Sequence, residues 1–215
     1  NGAMSVTEQH TDSYIVRTEV ELRAIIGDEI PGLAEKNGDS LDNYAKEFIA
    51  KTSFLILATS DAQGAIDASP KGDAAGFVEV VDDRTLLIPD RPGNKLAYGH
   101  LNVLDNPRVG IIFIIPGTSE TLRVNGRAEL TANPEILERL AARGKPATLA
   151  IRVQIDEVFF HCAKAFIRSQ LWKPEEWPEK HKVSFGEMYA ARRGGDNDMA
   201  RQIDGAVNAD YEGNL

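Results

Sequence analysis

Between residues 53 and 90, four short and mostly apolar runs alternate with turn residues, and this pattern limits the fold more than any other feature of the chain. The runs are SFLILATS, AIDASPKG, GFVEVVD and TLLIPD. The breaks between them hold aspartate and glycine at residues 61–64, 72–73 and 82–83. Because aspartate and glycine at short breaks favour hairpin turns, the stretch predicts an antiparallel meander.

Further strands and a few helices are predicted along the rest of the chain. The additional strands are residues 108–117, 120–130 and 147–163; Gly126 in the second predicts a bulge or a close backbone approach. Helices are predicted at residues 19–27, 94–107 and 133–144, and from Leu41 onward with Asp39 or Ser40 as N-cap. Six or seven strands with few helices predict a mainly β fold, either a β-barrel with flanking helices or a sandwich.

Charge and cysteine content argue against several classes of protein. The formal net charge of -9 disfavours binding to nucleic acid or an anionic membrane, since both need a positive surface field. The single cysteine, Cys162, excludes an intrachain disulfide, favours a cytoplasmic setting, and is predicted to be a small buried residue. No apolar run approaches the ~20 residues of a membrane span, and no signal segment opens the chain. The four histidines lack metal-binding spacing, so no metal site is predicted.

The chain is interpreted as three parts. Residues 1–40 form an N-terminal extension, whose first three residues, before Met4, look like the remnant of a tag. Residues 41–175 carry the predicted strands and form the main domain. Residues 176–215 form a helical and polar C-terminal tail. Its aspartates lack the spacing of a calcium loop and are interpreted as solvating charges: Asp196, Asp198, Asp204 and Asp210.

Cations stand at three separated strand ends, and each group has a hydroxyl or amide side chain beside it. They are Lys71 with Ser69, Arg91 and Lys95 with Asn94, and Lys164 and Arg168 with Ser169. In IPDRPGNK, residues 88–95, a helix beginning near Asn94 would direct free N–H groups toward an anion beside Lys95. The sequence therefore predicts a phosphate cradle, with the alternative that Arg91 and Lys95 are solvated turn charges.

Five blocks of the sequence carry a family resemblance: SPKGD at 69–73, IPDRPGNK at 88–95, NPRVGIIF at 106–113, IPGTSETLRVNGRAEL at 115–130, and FFHCAKAFIRSQLW at 159–172. Together, and in this order, they resemble the pyridoxamine 5'-phosphate oxidase-like FMN-binding split-barrel proteins. The resemblance covers about residues 40–175. It implies a six-stranded antiparallel split barrel and a homodimer, with one FMN in each of two clefts at the dimer interface.

The same resemblance implies a set of flavin contacts. Lys71 falls on the strand beside the flavin, flanked by Ser69 and Asp73, and the phosphate-binding turn carries Arg91, Asn94 and Lys95. One further group is expected to approach the cofactor from the interface: Glu120, Thr121 and Arg123. Another group is expected to close the cleft near the ring: Lys164, Arg168, Ser169 and Trp172.

The sequence departs from the true oxidase at two places. The arginine-rich RxVLLK strand is replaced by DASPKG, and the C-terminal RLAP block is absent, so oxidation of pyridoxamine phosphate is not predicted. The resemblance instead implies a flavin-dependent oxidoreductase with an unidentified small-molecule substrate. Because the sequence contains no GxGxxG motif, any nicotinamide donor is expected to bind only transiently. Catalytic residues are not assigned. The alternatives are a flavin-binding protein without enzymatic activity, or the same fold with F420 or heme.

Overall fold

The computed structural model describes residues 14–214 in two compact units, the first ending at Lys36 and the second beginning at Asn37. Residues 1–3, interpreted above as a tag remnant, lie outside the described residues. The first unit holds helix α1, Glu19–Ile26, and a 3-10 turn, Leu33–Lys36. Helix α1 starts with a capping box, in which Thr18 accepts a hydrogen bond from the Glu21 N–H and the Glu21 carboxylate accepts one from the Thr18 N–H.

The second unit is built on one antiparallel sheet of seven strands in the order β2-β1-β5-β6-β7-β4-β3. The strands are β1 Phe54–Ser60, β2 Ile66–Gly72, β3 Glu79–Asp82, β4 Thr85–Asp90, β5 Arg108–Ile114, β6 Thr121–Thr131 and β7 Leu149–His161. The antiparallel strands and two hairpins are confirmed, but the meander over residues 53–90 is wrong, because β2 and β3 lie at opposite edges of the sheet. The count of six strands implied by the resemblance is also wrong. Short strand β3 forms its own hairpin with β4, because the turn at residues 82–84 folds it back onto Leu86 and Leu87.

One face of the sheet forms the core. In β1, Leu55 and Leu57 are fully buried while their neighbours Phe54 and Ile56 point to the opposite face. The bulge predicted at Gly126 is confirmed, since the pairing of β6 with β7 shifts between Asn125 and Gly126. A Cβ at Gly126 would lie only 2.2 Å from the Gln154 carbonyl oxygen, so this close approach requires glycine.

The sheet curls until the end of β2 meets the end of β4, which are not neighbouring strands. From Lys71 the register runs across Leu55, Phe113 and Leu122 to Phe160, near the end of β7. Asp90 lies opposite Leu149, at the start of that same strand. Nevertheless Lys71 Nζ lies 2.9 Å from Asp90 Oδ1, and Arg91 Nε lies 2.8 Å from Asp73 Oδ2. Closing a sheet into a barrel requires such a stagger between strands. The two strand ends are joined by side chains and not by hydrogen bonds between strands, and we call this contact the seam; it consists of Lys71, Asp73, Asp90 and Arg91.

The second unit also holds six helices among the described residues: α2 Asn43–Lys51, α3 Tyr98–Asp105, α4 Pro134–Arg139, α5 Lys164–Arg168, α6 Phe185–Arg193 and α7 Asn197–Gly213. A 3-10 turn lies at Pro174–Glu176. The predicted cap of α2 is wrong: Asp42 is the N-cap, because the Leu41 N–H donates to Asp83 O and holds that residue outside the helix. Among the described helices, none combines the length and apolar character needed to cross a membrane.

The C-terminal segment is a packed helical hairpin. Asp196 is the N-cap of α7, and Asp204 accepts hydrogen bonds from the Ser184 hydroxyl and the Gly186 N–H at the start of α6. The hydrogen bonds of Asp204 lower its pKa below the usual value. The interpretation of these two aspartates as solvating charges is therefore wrong.

Candidate functional site

The first predicted cation, Lys71, is held at the seam by a carboxylate. Asp90 Oδ1 lies 2.9 Å from Lys71 Nζ and 3.3 Å from His100 Nε2, and all three side chains are less than a fifth exposed. Burial alone would raise the pKa of Asp90, but its contacts with His100 and Lys71 outweigh burial, and the pKa lies below its usual value. The carboxylate is therefore ionised at neutral pH and balances the charge of Lys71.

The second predicted cation, Arg91, is fixed by Asp73. Besides the 2.8 Å contact to Asp73, Arg91 donates to the Leu140 carbonyl at 2.9 Å, and Arg143 approaches the other carboxylate oxygen of Asp73 at 3.4 Å. The Asp73 side chain is only 4% exposed. Burial raises its pKa, but the hydrogen bond from the Ala74 N–H and the charge of Arg91 outweigh burial, so the pKa is lowered. The adjacent residues Asp90 and Arg91 therefore pair with Lys71 and Asp73 and not with each other.

The phosphate turn, defined here as residues 91–97, is not the start of a helix. Lys95 and Ala97 have φ of 61° and 55°, in the left-handed region, and Asn94 Oδ1 accepts from the Leu96 N–H. Helix α3 therefore begins at Tyr98, and the predicted start near Asn94 is wrong. The N-cap Ala97 makes no side-chain hydrogen bond to α3, and none of the described side chains accepts a hydrogen bond from the first N–H groups of this helix, which follow the exposed Lys95.

Helix α3 lies close over β1 and β2, where the predicted residue Ser69 lies. A Cβ at Gly99 would lie 3.2 Å from Asp67 Oδ2 and 3.8 Å from Ser69 Oγ, so the helix approaches the strands at a glycine. Asn102 Nδ2 donates to Thr59 Oγ1 at 3.1 Å and fixes the helix one turn further on.

The two predicted residues within β6, Thr121 and Arg123, lie on the same face of the sheet, opposite Leu122 and Val124. Thr121 is buried, while Glu120, just before the strand, is exposed. Arg123 lies on the outer face, with its guanidinium carbon 5.3 Å from the centre of the Phe159 ring. Arg123 thus has an aromatic neighbour on the face opposite the core.

The residues that follow β7 form a second group. Trp172 donates from Nε1 to the Thr118 carbonyl at 2.8 Å, and its ring stacks on Phe166 with centroids 5.8 Å apart. Ser169 donates to the Phe166 carbonyl, while Lys164 and Arg168 are exposed on α5. Cys162 is exposed just beyond β7, so its predicted burial is wrong; the chain leaves the core at that point.

The predicted cations therefore differ in what they can still bind. Lys71 and Arg91 are balanced by carboxylates at the seam, whereas Lys95, Lys164 and Arg168 form no ion pair with any of the described residues. The structure joins Asp73 to Arg91 and Lys71 to Asp90 at the seam, and it joins Trp172 to the Thr118 carbonyl just before β6. Their role as flavin contacts stays a prediction.

Sequence reasoning missed His100, Arg143 and the partner of Asp90. His100 lies in a predicted helix with no motif around it, and the approach of β2 to β4 depends on barrel closure, which no local spacing encodes. Two open depressions of about 520 and 680 Å³ lie around the β3–β4 hairpin and include none of the predicted site residues. Within residues 14–214, no group of three or more metal-ligating side chains is present.

Comparisons with known proteins identify a family. The family model described as pyridoxamine 5'-phosphate oxidase matches residues 41–162, a range that contains all seven strands. No curated protein matches the sequence.

Solved structures with a similar fold include HupZ from Group A Streptococcus, with 21% identity, 56% of this chain and 93% of that chain covered, and a TM-score of 0.46. General Stress Protein 26 from Bacillus anthracis has 12% identity, with 54% and 93% covered and a TM-score of 0.42. An FMN-binding protein from Syntrophomonas wolfei has 12% identity, with 54% and 88% covered and a TM-score of 0.40. At these scores the likenesses support no argument about function.

Proposed function

The chain belongs to the pyridoxamine 5'-phosphate oxidase family, and from that premise we propose that it binds FMN and acts as a flavin-dependent oxidoreductase on a small molecule. The observation that carries the proposal is the family match across all seven strands. Members of this family typically bind FMN and include FMN-dependent oxidases. Bound FMN would supply two-electron redox chemistry.

The unbalanced cations and the uncapped helix suit the phosphate of FMN. A protein with a net charge of -9 can hold a phosphate only where local positive groups are available. Lys95 and the first N–H groups of α3 are such groups, since both lie at the phosphate turn and no side chain within residues 14–214 pairs with them. We assign the phosphate to this turn, with Asn94 maintaining its shape.

The seam cations have a different role in this proposal. Lys71 and Arg91 carry charges already compensated by Asp90 and Asp73, so their contribution to phosphate affinity is smaller than that of Lys95. Lys71 remains suited to donate a hydrogen bond to an uncharged or weakly charged part of the cofactor.

The outer face of the sheet supports a homodimer with flavin at its interface. A row of side chains opposite the core runs from Ile56 through Ile112 and Arg123 to Phe159, and Phe54 adds an aromatic ring that is 37% exposed. The outer face of an antiparallel sheet is normally polar, so an apolar row suits a partner surface. Arg123 and Phe159 would then lie beside a ligand bound between two copies.

The binding proposal is tested by titrating flavin-free protein with FMN and following flavin fluorescence. We expect saturable binding, and Lys95→Ala should weaken it about tenfold or more, because one charge-assisted contact is lost. The matched control is Lys46→Ala, which removes a lysine paired with Asp83 at the far end of the β3–β4 hairpin. Equal affinities of the Lys95 and Lys46 variants would remove the phosphate assignment.

The enzymatic part of the proposal is tested separately, by anaerobic mixing of the FMN-loaded protein with NADH or NADPH. Bleaching of the flavin absorption and its return on adding an acceptor are the expected results. If the protein holds one FMN per chain and neither donor reduces it, the result would favour the alternative of a flavin-binding protein without enzymatic activity.

A further inference from the structure

The phosphate turn is closed at its base by two residues that sequence reasoning did not connect. The turn leaves β4 at Asp90 and ends where α3 begins, and His100 is the third residue of that helix. His100 Nε2 lies 3.3 Å from Asp90 Oδ1, so the residues on either side of the turn touch each other. The buried His100 Nε2 makes no hydrogen bond with any of the described residues, and its 3.3 Å approach to the Asp90 carboxylate is an electrostatic contact.

This contact has a direct effect on the turn. Residues 91–97 include two left-handed residues and exposed side chains from Pro92 onward, so little else packs against them. Joining the ends of such a segment removes much of its conformational freedom before any ligand binds. A ligand that needs several groups of the turn at once then loses less entropy on binding.

Lys71 completes the arrangement by removing a charge conflict. Without a partner, the Asp90 carboxylate next to the turn would repel a phosphate. The 2.9 Å contact with Lys71 balances that charge, so Asp90 can hold His100 while leaving the turn available to an anion.

We infer that the Asp90–His100 contact is a clamp that keeps the phosphate turn in its binding shape, and that His100 is a positioning residue that sets the preference for FMN over riboflavin. This inference rests on the proposed function. The two flavins share the ring and the ribityl chain and differ only in the phosphate, so loss of the clamp should affect FMN alone.

The test compares FMN and riboflavin affinities in the wild-type protein and in three variants. His100→Ala should lower FMN affinity about tenfold or more and leave riboflavin affinity unchanged. His100→Gln keeps a polar nitrogen at a similar distance from Asp90 and should restore part of the preference. His100→Phe fills the volume of the histidine without a polar nitrogen, and it should also lower FMN affinity and leave riboflavin affinity unchanged. It replaces His100→Ala in the test if the alanine variant does not fold.

Asn102→Ala is the matched control. Asn102 also fixes α3 to the barrel, through Thr59, but it lies beyond the base of the turn. Its replacement should lower thermal stability without changing the ratio of the two flavin affinities. In the flavin-free protein, amide hydrogen exchange in residues 93–97 should accelerate in His100→Ala and stay unchanged in Asn102→Ala.

The outcomes separate the inference from the proposed function. A wild-type protein that binds neither flavin, or binds both equally, contradicts the phosphate site itself. A wild-type protein that prefers FMN, with His100→Ala and His100→Phe keeping the same preference, overturns only the clamp. Equal loss of both flavin affinities in the His100 variants would also overturn it, because the role would then be structural.

Discussion

Arg91 illustrates how a partner changes what a cation can do. Its guanidinium joins the end of β4 to Asp73 and to the Leu140 carbonyl, so its removal leaves a carboxylate that is 4% exposed with only the Ala74 N–H and the longer contact to Arg143. We expect Arg91→Ala to lower the free energy of unfolding by about 2 kcal/mol, measured by denaturant titration.

The control for Arg91 is Arg152→Ala, whose partner Glu129 has a side chain that is 66% exposed. Because exposed pairs contribute little, its loss of stability should be clearly smaller. Equal effects of the two substitutions would show that the seam does not depend on Arg91.

The two seam carboxylates predict how stability depends on pH. Asp73 and Asp90 both have a folded-state pKa below the usual value, and the unfolded value is about 3.9. Their contribution is therefore fully present above about pH 5 and is lost as the pH falls below about 4 toward the folded pKa. Asp90→Asn should lower stability at neutral pH and flatten its decline in acid.

The measurement for this prediction is the free energy of unfolding at a series of pH values. Asp198→Asn serves as the control, since the Asp198 side chain is 74% exposed. An acid decline that is just as steep in Asp90→Asn as in the wild type would contradict the role given to the Asp90 contacts.

At the scale of elements, the packing of α6 against α7 depends on one glycine. A Cβ at Gly186 would lie 1.9 Å from the Ala200 carbonyl oxygen, so Gly186→Ala must push the two helices apart. We expect a loss of about 1–3 kcal/mol and faster amide exchange in both helices.

Gly205 in α7 provides the opposite case. Nothing lies within 4 Å of the position of its Cβ, and it is inside a helix. Gly205→Ala should therefore raise stability by about 0.5–1 kcal/mol. Thermal unfolding of the two variants side by side tests both statements, and a stable Gly186→Ala protein would contradict the tight approach.

The elements that the sequence predicted well are those with strong local patterns. Strand β1 is a short apolar run and strand β6 alternates apolar and polar residues, and the predicted positions of both agree with the structure to within a residue or two. The start of α3 was missed because left-handed residues at Lys95 and Ala97 carry no glycine signal. Helix α7 has a weak apolar face of Ala200, Ile203 and Val207, which the many aspartates around it obscured.

At the scale of the whole molecule, closure of the sheet determines which side chains meet. Lys71 and Asp90 are both recognisable in the sequence as polar residues at strand ends, but their contact follows from the stagger of seven strands. The family resemblance predicted the fold and the order of its blocks, and the family is confirmed. It did not predict that two of the expected phosphate cations would be balanced by carboxylates of the same chain.

The central claim is that this protein binds FMN, and we propose that it binds FMN as a homodimer. Sedimentation equilibrium of the FMN-loaded protein, followed at the visible absorption band of the flavin, tests it most directly. We expect the flavin signal to sediment with the mass of two 23.5 kDa chains and to correspond to one FMN per chain. A flavin signal that remains at the mass of free FMN would contradict the claim.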